Sequence, residues 1–462
     1  MLDAGLISEV LNAVLSRGGE YADIFVEHRK ATSIQLEDGK IEKVIEGVDS
    51  GVGIRLISGE HTAYAFSNNL SRDSLITLAS SLGRTFKAAI HDHTLDMCKK
   101  QPQVNFMIEL FPDEIPVKRK IDILKSANHA ARSFDRRITQ VTAFYRDSLQ
   151  RVQVANSEGA IAEDERIHTI VAITVVANSD GIIQTGYEAD GGLIGFELFN
   201  RVSIDELALT ASRRAVTMLT AKRAPGGRMP IIISSTSGGT MIHEAIGHGL
   251  EADLAQQGLS VYANKIGREV ASRFITVIDD PTLLNKRGSF RFDDEGTPAK
   301  RTILVEGGVL KGFMYDKLSA MHDGVASTGN GRRESYRYRP IPRMTNTFIA
   351  PGDSSPDEVL KSTPTGLFVK KMGGGQVNTV TGDFVFDVQE GYLVENGLIG
   401  EPVRGATLIG NGPEVLQSID MVALDLGFSI GTCGKDSQGV PISDAMPTIR
   451  VPEMVVGGEV KV

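Results

Sequence analysis

The chain has 462 residues, 41% of them hydrophobic and 23% charged, with a formal net charge of −9. This is ordinary globular composition; it excludes a fibrous or bulk-disordered polymer, and the length favours two compact units. The acidic balance repels nucleic-acid phosphates, and neither a secretion signal nor a run of roughly 18 apolar residues occurs, so neither nucleic acid nor a membrane is an expected partner and a cytoplasmic location is expected.

Leu6, Ile7, Val10, Leu11, Val14 and Leu15 recur at helical spacing and predict an amphipathic helix closed by Gly18 and Gly19. Five strand-like runs follow between residues 22 and 66, separated by turn chemistry such as Asp38-Gly39 and Ser58-Gly59, which predicts an antiparallel meander. Helices are expected over 71–89 and 117–134, paired strands over 139–155 and 168–178, and a helix over 203–222. His91-Asp92-His93 has ligand-type residues in a polar stretch with no further histidine nearby, and is expected to be a solvated loop. Runs of strands followed by runs of helices indicate an α+β fold. Ala224-Pro225-Gly226-Gly227-Arg228 breaks both periods and marks the expected boundary between an N-terminal α+β domain, 1–224, and a strand-rich C-terminal domain, 225–462.

Just after that boundary, Met229 to Ile233 reads as a buried strand, Ser234 to Gly239 as a loop, and Thr240 onward as a helix, TMIHEAIGHGLEAD. Two imidazoles with a carboxylate beside the first are the parts of a hydrolytic zinc site. His243 and His248 would hold the ion, and Glu244 would take a proton from the water that zinc acidifies. The spacing, however, is HExxxH and not the HExxH of a regular zinc helix. On an α-helix a five-residue step leaves the two histidines about 140° apart, against about 40° for four residues. The flanking Gly247 and Gly249 permit a local distortion, expected at Gly247; two histidines without a metal are the competing reading.

A zinc site needs a third protein ligand, and the candidates are Glu251, Asp253, His322 and Cys433. Cys433 is favoured, because it sits in a Gly-flanked turn, GTCGKD, with Lys435 at hand to favour a thiolate; a small buried thiol is the reading that competes with it. The other cysteine, Cys98, has nothing near it in sequence to activate it, and no disulfide is expected.

HEAIGHGLEAD together with GTCGKDSQGVP resembles the TldD/PmbA family of zinc peptidases, in its TldD-type, metal-bearing form. FDDEGTP, LVEGGVLKGFMYD, TGNGRRESYRYRPIPRMTN and PVRGATLIGNG are similar to family signatures in the same order. The resemblance implies a zinc metallopeptidase with one Zn2+ per chain held by His243, His248 and Cys433, and Glu244 as catalytic base. It also implies small or unfolded peptides as substrates, and a dimer formed either with a related subunit lacking the metal motif or with a second copy. Where the family more often has a glycine-rich stretch after the cysteine motif, this chain has SDAMP, so a different local loop shape is expected there.

Arg332, Arg333, Tyr336, Arg337, Tyr338, Arg339 and Arg343 interleave charge and aromatics, which suits a peptide-carboxylate contact or a subunit interface as well as it suits a solvated loop. Met372 to Gln376 is a glycine-rich loop without the Lys and Ser/Thr of a P-loop, and is expected to approach an extended peptide at a strand edge. No G-x-S-x-G elbow marks a serine nucleophile. The alternative from a different class is a metal-stabilised scaffold that binds peptides or a partner without cleaving them. Glu244 discriminates, since a structural site has no use for that carboxylate.

Overall fold

The computed structural model describes residues 1–86 and 95–459. The Asp3 side chain caps α1 (Ala4–Leu15) by accepting the Leu6 N–H at 3.0 Å, and the five apolar residues from Ile7 to Leu15 face inward. The meander forms, but as three long strands: β1 (Tyr21–Glu37), β2 (Lys40–Ser58) and β3 (His61–Ser67). Asp38 and Gly39, at φ of 49° and 80°, turn the chain where expected. The glycines inside β2 do not turn it. Gly51 lies under the ring of Tyr336, and a Cβ there would overlap that ring. Here the glycine serves close approach between distant segments, a use that resembles a turn in sequence alone.

The helix α2 (Arg72–Leu82) is shorter than the expected 71–89. It stops at Gly83, where a Cβ would stand 2.5 Å from the Val14 carbonyl. Residues 87–89 of that expectation, and His91-Asp92-His93, lie outside the described residues. After the two-residue β4 (Cys98–Lys99), α3 (Val117–Phe134) has its expected span. β5 (Ile138–Asn156) and β6 (Ala160–Ser179) are longer than expected, and β7 (Ile182–Leu193) adds a strand the periodicity did not mark. The sheet runs β3-β2-β1-β5-β6-β4 with β7 also on β6. The helix over residues 203–222 is observed as Ile204–Thr220, capped by Ser203. It packs with α3 on one face of the sheet, over Val141, Ala143, Tyr145, Val171 and Ile173.

The later residues build an eight-stranded sheet, in which Gly227–Ile233 lies between Thr365–Val377 and Ile449–Gly457, and a six-stranded sheet whose edge strand is Gly427–Lys435. Their shared core includes Ile231, Ile242, Leu250, Val277, Cys433 and Ile442. No described helix is long and apolar enough to cross a membrane.

Two expectations are corrected. Met372 to Gln376 is no loop but the bulged end of a strand, paired to Asp383–Glu395, with Gly375 lying flat against Phe386. The neighbouring Gly227–Ile233 strand pairs only with Leu367 to Val369, so beyond that point this strand has no second neighbour among the described residues. Of the arginine–tyrosine stretch only Arg337 and Arg339 are exposed as a solvated loop would be. Arg332, Arg333, Tyr336 and Arg343 are buried; Arg333 and Tyr336 fasten the later residues to the face of the first sheet opposite its helices, while Arg332 and Arg343 donate to carbonyls of the later residues themselves. Tyr336 packs on Phe25, Val152 and Val154, and its N–H donates to Glu27 at 2.9 Å. Beside it, buried Arg55 donates to Asp23 at 2.7 Å and to Glu295 at 2.6 Å, while Arg166 donates to Asp294 at 2.7 Å.

Candidate metal centre

The strand that ends at Ile233 leads through a short turn at Ser235–Ser237 to Gly238, at φ 82°, and Gly239, whose N–H donates to Asp444 Oδ1 at 3.2 Å. Helical backbone starts at Thr240, but the regular helix lasts only to Ile242. His243–Gly247 is a π turn, closed by the His248 N–H donating to the His243 carbonyl, and His248–Leu250 then tightens into a 3₁₀ turn. An i→i+5 turn brings the fifth residue back over the first, which a 3.6-residue turn does not do. The His243 and His248 rings accordingly lie with centroids 4.9 Å apart, perpendicular to each other. Side-chain packing explains why glycines stand here. A Cβ on Gly247 would overlap Met344 Sδ, and one on Gly249 would lie 2.6 Å from the Tyr262 ring. The Tyr262 hydroxyl in turn donates to the Ala245 carbonyl at 2.9 Å and props the widened turn from outside.

Cys433 projects toward the same point from the edge strand Gly427–Lys435. Its Sγ is 3.5 Å from His248 Nε2, and one ligand atom from each of His243, His248 and Cys433 falls within 4.8 Å of the others. Zinc bonds of about 2.3 Å to sulfur and about 2.0 Å to nitrogen, at a tetrahedral angle, put those two atoms about 3.5 Å apart, so the donor set fits that ion. His243 Nδ1 is buried without a hydrogen-bond partner, 3.9 Å from the Asp444 carboxylate. Burial pushes the Cys433 thiol up, but hydrogen bonds and charge from the two imidazoles outweigh it and bring it down to about 5, in thiolate territory.

The other candidates fall elsewhere. Glu251 stands behind His248 and not beside Cys433: fully buried, its Oε2 accepts from His248 Nδ1 at 3.0 Å, which leaves Nε2 facing the sulfur. Lys435 does not support the thiolate as expected. Its Nζ lies 3.1 Å from Glu251 and 2.7 Å from Asp253. Burial pushes the Glu251 carboxyl up, yet Lys435 and His248 overcome that and hold it at about 2. His322 is half-exposed and paired with Asp323, away from the cluster. Glu244 is half-buried; burial pushes its carboxyl up against the pull of His243 and His248. Cys98 is exposed and unbridged. The first four residues of SDAMP, Ser443 to Met446, lie in the strand Gln438–Met446 and not in a loop, which is how Asp444 reaches Gly239. Sequence reading missed the part Asp444 plays, as well as those of Met344, Tyr262 and Arg343, whose Nη2 donates to the Cys433 carbonyl at 2.5 Å. No local pattern announces any of these long-range contacts.

Three family models match in succession: PmbA/TldA metallopeptidase domain 1 over residues 22–91, the central domain over 111–219 and the C-terminal domain over 226–458. A metalloprotease TldD homolog of Buchnera aphidicola is 37% identical over 97% of this chain and 95% of its own, and one of Haemophilus influenzae 36% identical over 99% and 97%. A zinc metalloprotease TldD homolog of Saccharolobus solfataricus is 27% identical over 96% of this chain and 98% of its own. Among crystal structures, TldE from Thermococcus kodakarensis shares the fold at a TM-score of 0.78 and 18% identity, covering 98% of this chain and 100% of that one.

Proposed function

The chain belongs to the PmbA/TldD family of metallopeptidases, and on that footing we propose that it is a zinc-dependent peptidase acting on small or unfolded peptides. The observation that carries this is the convergence of His243, His248 and Cys433 on one point through a turn that a regular helix does not make. Two imidazoles and a thiolate suit zinc above the hard divalent ions, and would hold one ion per chain. When bound, the ion supplies Lewis acidity to water and to the scissile carbonyl. Glu244 takes the water's proton and delivers it to the leaving amine. It is half-buried, and burial pushes its carboxyl up from the ordinary range against the pull of His243 and His248, which suits a group that must both accept and release a proton. Glu251 holds His248 in the tautomer that keeps Nε2 free for the ion.

The same proposal has the substrate extended along the open side of the strand near Val377, held by backbone hydrogen bonds that tolerate many side chains. Proline at 377 is expected to impair cleavage. It also includes a division of the chain at residues 224 and 225, close to the point where the first sheet gives way to the eight-stranded sheet, into which the short strand Lys222–Arg223 already pairs, a cytoplasmic location, and a dimer with a related non-metal subunit or a second copy. The test is zinc content and hydrolysis of an unstructured peptide for wild type, Glu244→Gln and Cys433→Ala, each alone and with any copurifying paralogue. Expected are wild-type cleavage, loss of it with zinc retained in Glu244→Gln, and loss of zinc in Cys433→Ala. Zinc bound by a wild type that cleaves nothing even with its partner points to the scaffold instead.

A further inference from the structure

On the face of the first sheet opposite its helices, side chains alternate outward from β1, β5 and β6. Beyond the area covered by Tyr336 that face becomes basic. It forms one wall of a 370 Å³ cleft whose other wall includes Arg287, Arg332 and Thr432. Six arginines line the cleft against two carboxylates, Asp294 and Glu334, in a chain that is acidic as a whole. The carboxylates are already engaged: Asp294 accepts from Arg166 at 2.7 Å and from the Arg333 N–H at 2.8 Å, and Glu334 accepts from the Gly439 N–H at 2.6 Å. Arg332 is used up on the Met344 and Pro441 carbonyls.

Arg29, Arg146 and Arg287 are left. Arg29 and Arg146 are exposed and have no ion pair or side-chain hydrogen bond among the described residues. Arg287 donates one nitrogen to Gly431 and Thr432, while its Nε is buried with no partner. Burial above all, with smaller contributions from the charges of Arg146 and Arg29 and against the pull of Tyr187, brings Arg287 down to about 10. The part-buried Arg287, with its Nε unpartnered, is the member of the cluster that an anion would complete. Thr432, which lines this cleft, directly precedes Cys433 on the edge strand, so the cleft and the metal cluster occupy opposite faces of one strand.

We propose that Arg29, Arg146 and Arg287 form an anion site that receives a carboxylate of a bound peptide, either its C-terminal group or an Asp or Glu side chain. The assignment rests on the peptidase reading, since it takes peptide as the ligand and the edge strand as the ridge between the anchoring group and the bond to be cut. Guanidinium forks match carboxylates in two-point geometry, and the neutral His168, Ser148 and Thr432 around them add polar lining without opposing charge.

The test is fluorescence anisotropy of four labelled ten-residue peptides, with or without an internal glutamate and with a free or amidated C-terminus, binding to the full chain carrying Glu244→Gln. Expected is a Kd about tenfold or more lower for whichever peptide carries the carboxylate the site reads, with a preference that weakens with salt. The preference should vanish in Arg29→Gln/Arg146→Gln and return in Arg29→Lys/Arg146→Lys. Equal binding of all four peptides, binding of none, a preference that survives the Gln pair, or tighter arginine-dependent binding of a single-stranded oligonucleotide overturns it. Hydrolysis measured in parallel separates the two ideas. A wild type that binds acidic peptide through these arginines but cuts nothing removes the peptidase reading alone, and one that cuts acidic and neutral peptides with equal affinity removes the cleft alone.

Discussion

Two of the buried polar assemblies among the described residues are built on opposite plans. In the seam between the first sheet and the later residues, Arg55 spans the Asp23 and Glu295 carboxylates, the Lys317 N–H takes the remaining oxygen of Glu295 at 2.7 Å, and Arg333 stands 3.6 Å from the Asp23 oxygen that accepts no hydrogen bond. At the histidine–cysteine cluster the backbone itself is irregular, and one buried ring nitrogen has no partner. The seam pairs opposite charges within the fold, whereas at the cluster three ligand-type side chains converge on one point with a ring nitrogen left over, which is the arrangement the zinc proposal takes as its ion site.

The largest effect that would break this contrast lies in the seam. Arg55→Met leaves Glu295 buried without a cation and Asp23 with Arg333 alone, 3.6 Å away, and should cost about 3–5 kcal/mol in denaturant unfolding without weakening zinc binding in the protein that remains folded. A smaller change, or a loss of zinc affinity of similar size, would mean the two assemblies are one. Next comes Glu251→Gln, which keeps the shape but weakens the support of His248. Zinc affinity, measured by competition with a chromophoric chelator, should fall about 10- to 100-fold with stoichiometry unchanged.

The third prediction concerns His168, which donates to the Arg287 carbonyl at 3.1 Å and which burial, then Arg287, Arg166 and Arg29, push down to about 3. Because its folded pKa lies below the unfolded value, the unfolded chain binds the proton more readily. Stability is therefore whole above about pH 6.5 and declines as pH falls toward 3, by up to about 1.4 kcal/mol per pH unit. Unfolding curves of His168→Gln should lack that component. The smallest effect is at the solvent end of the seam, where Arg337 pairs with Asp49 at 2.6 Å with both side chains 45% exposed. Arg337→Ala should cost no more than about 1 kcal/mol, and less in high salt.

Much of the candidate centre could be read from sequence because its chemistry is local: two histidines and a glutamate within six residues, and a cysteine among glycines. The helix α3 was equally legible, since its apolar period is long and uninterrupted. What sequence could not give depends on distant partners. The glycines of β2 resemble turn formers until Tyr336 is seen lying on them, and Met372 to Gln376 resembles a loop until Phe386 is seen against Gly375. Glu251 was named as a possible ligand, and only the fold shows that it faces the other nitrogen of His248. The arginines between 332 and 343 invited a surface reading because charge is usually solvated; their acceptors lie far away in sequence, as with Arg332 and Pro441.

The widened turn also sets a phase. Removing one residue between Glu244 and His248 would give a four-residue step, and an ordinary α-helix could then carry both histidines on one face. His248 and everything after it would rotate by about 100° relative to His243. Glu251 would turn with His248 away from Lys435, and Gly249 would leave its place against Tyr262. The fifth residue is therefore the gearing between the ligand pair and the scaffold behind it, and a single deletion there should be far more damaging than a substitution at Ala245 or Ile246.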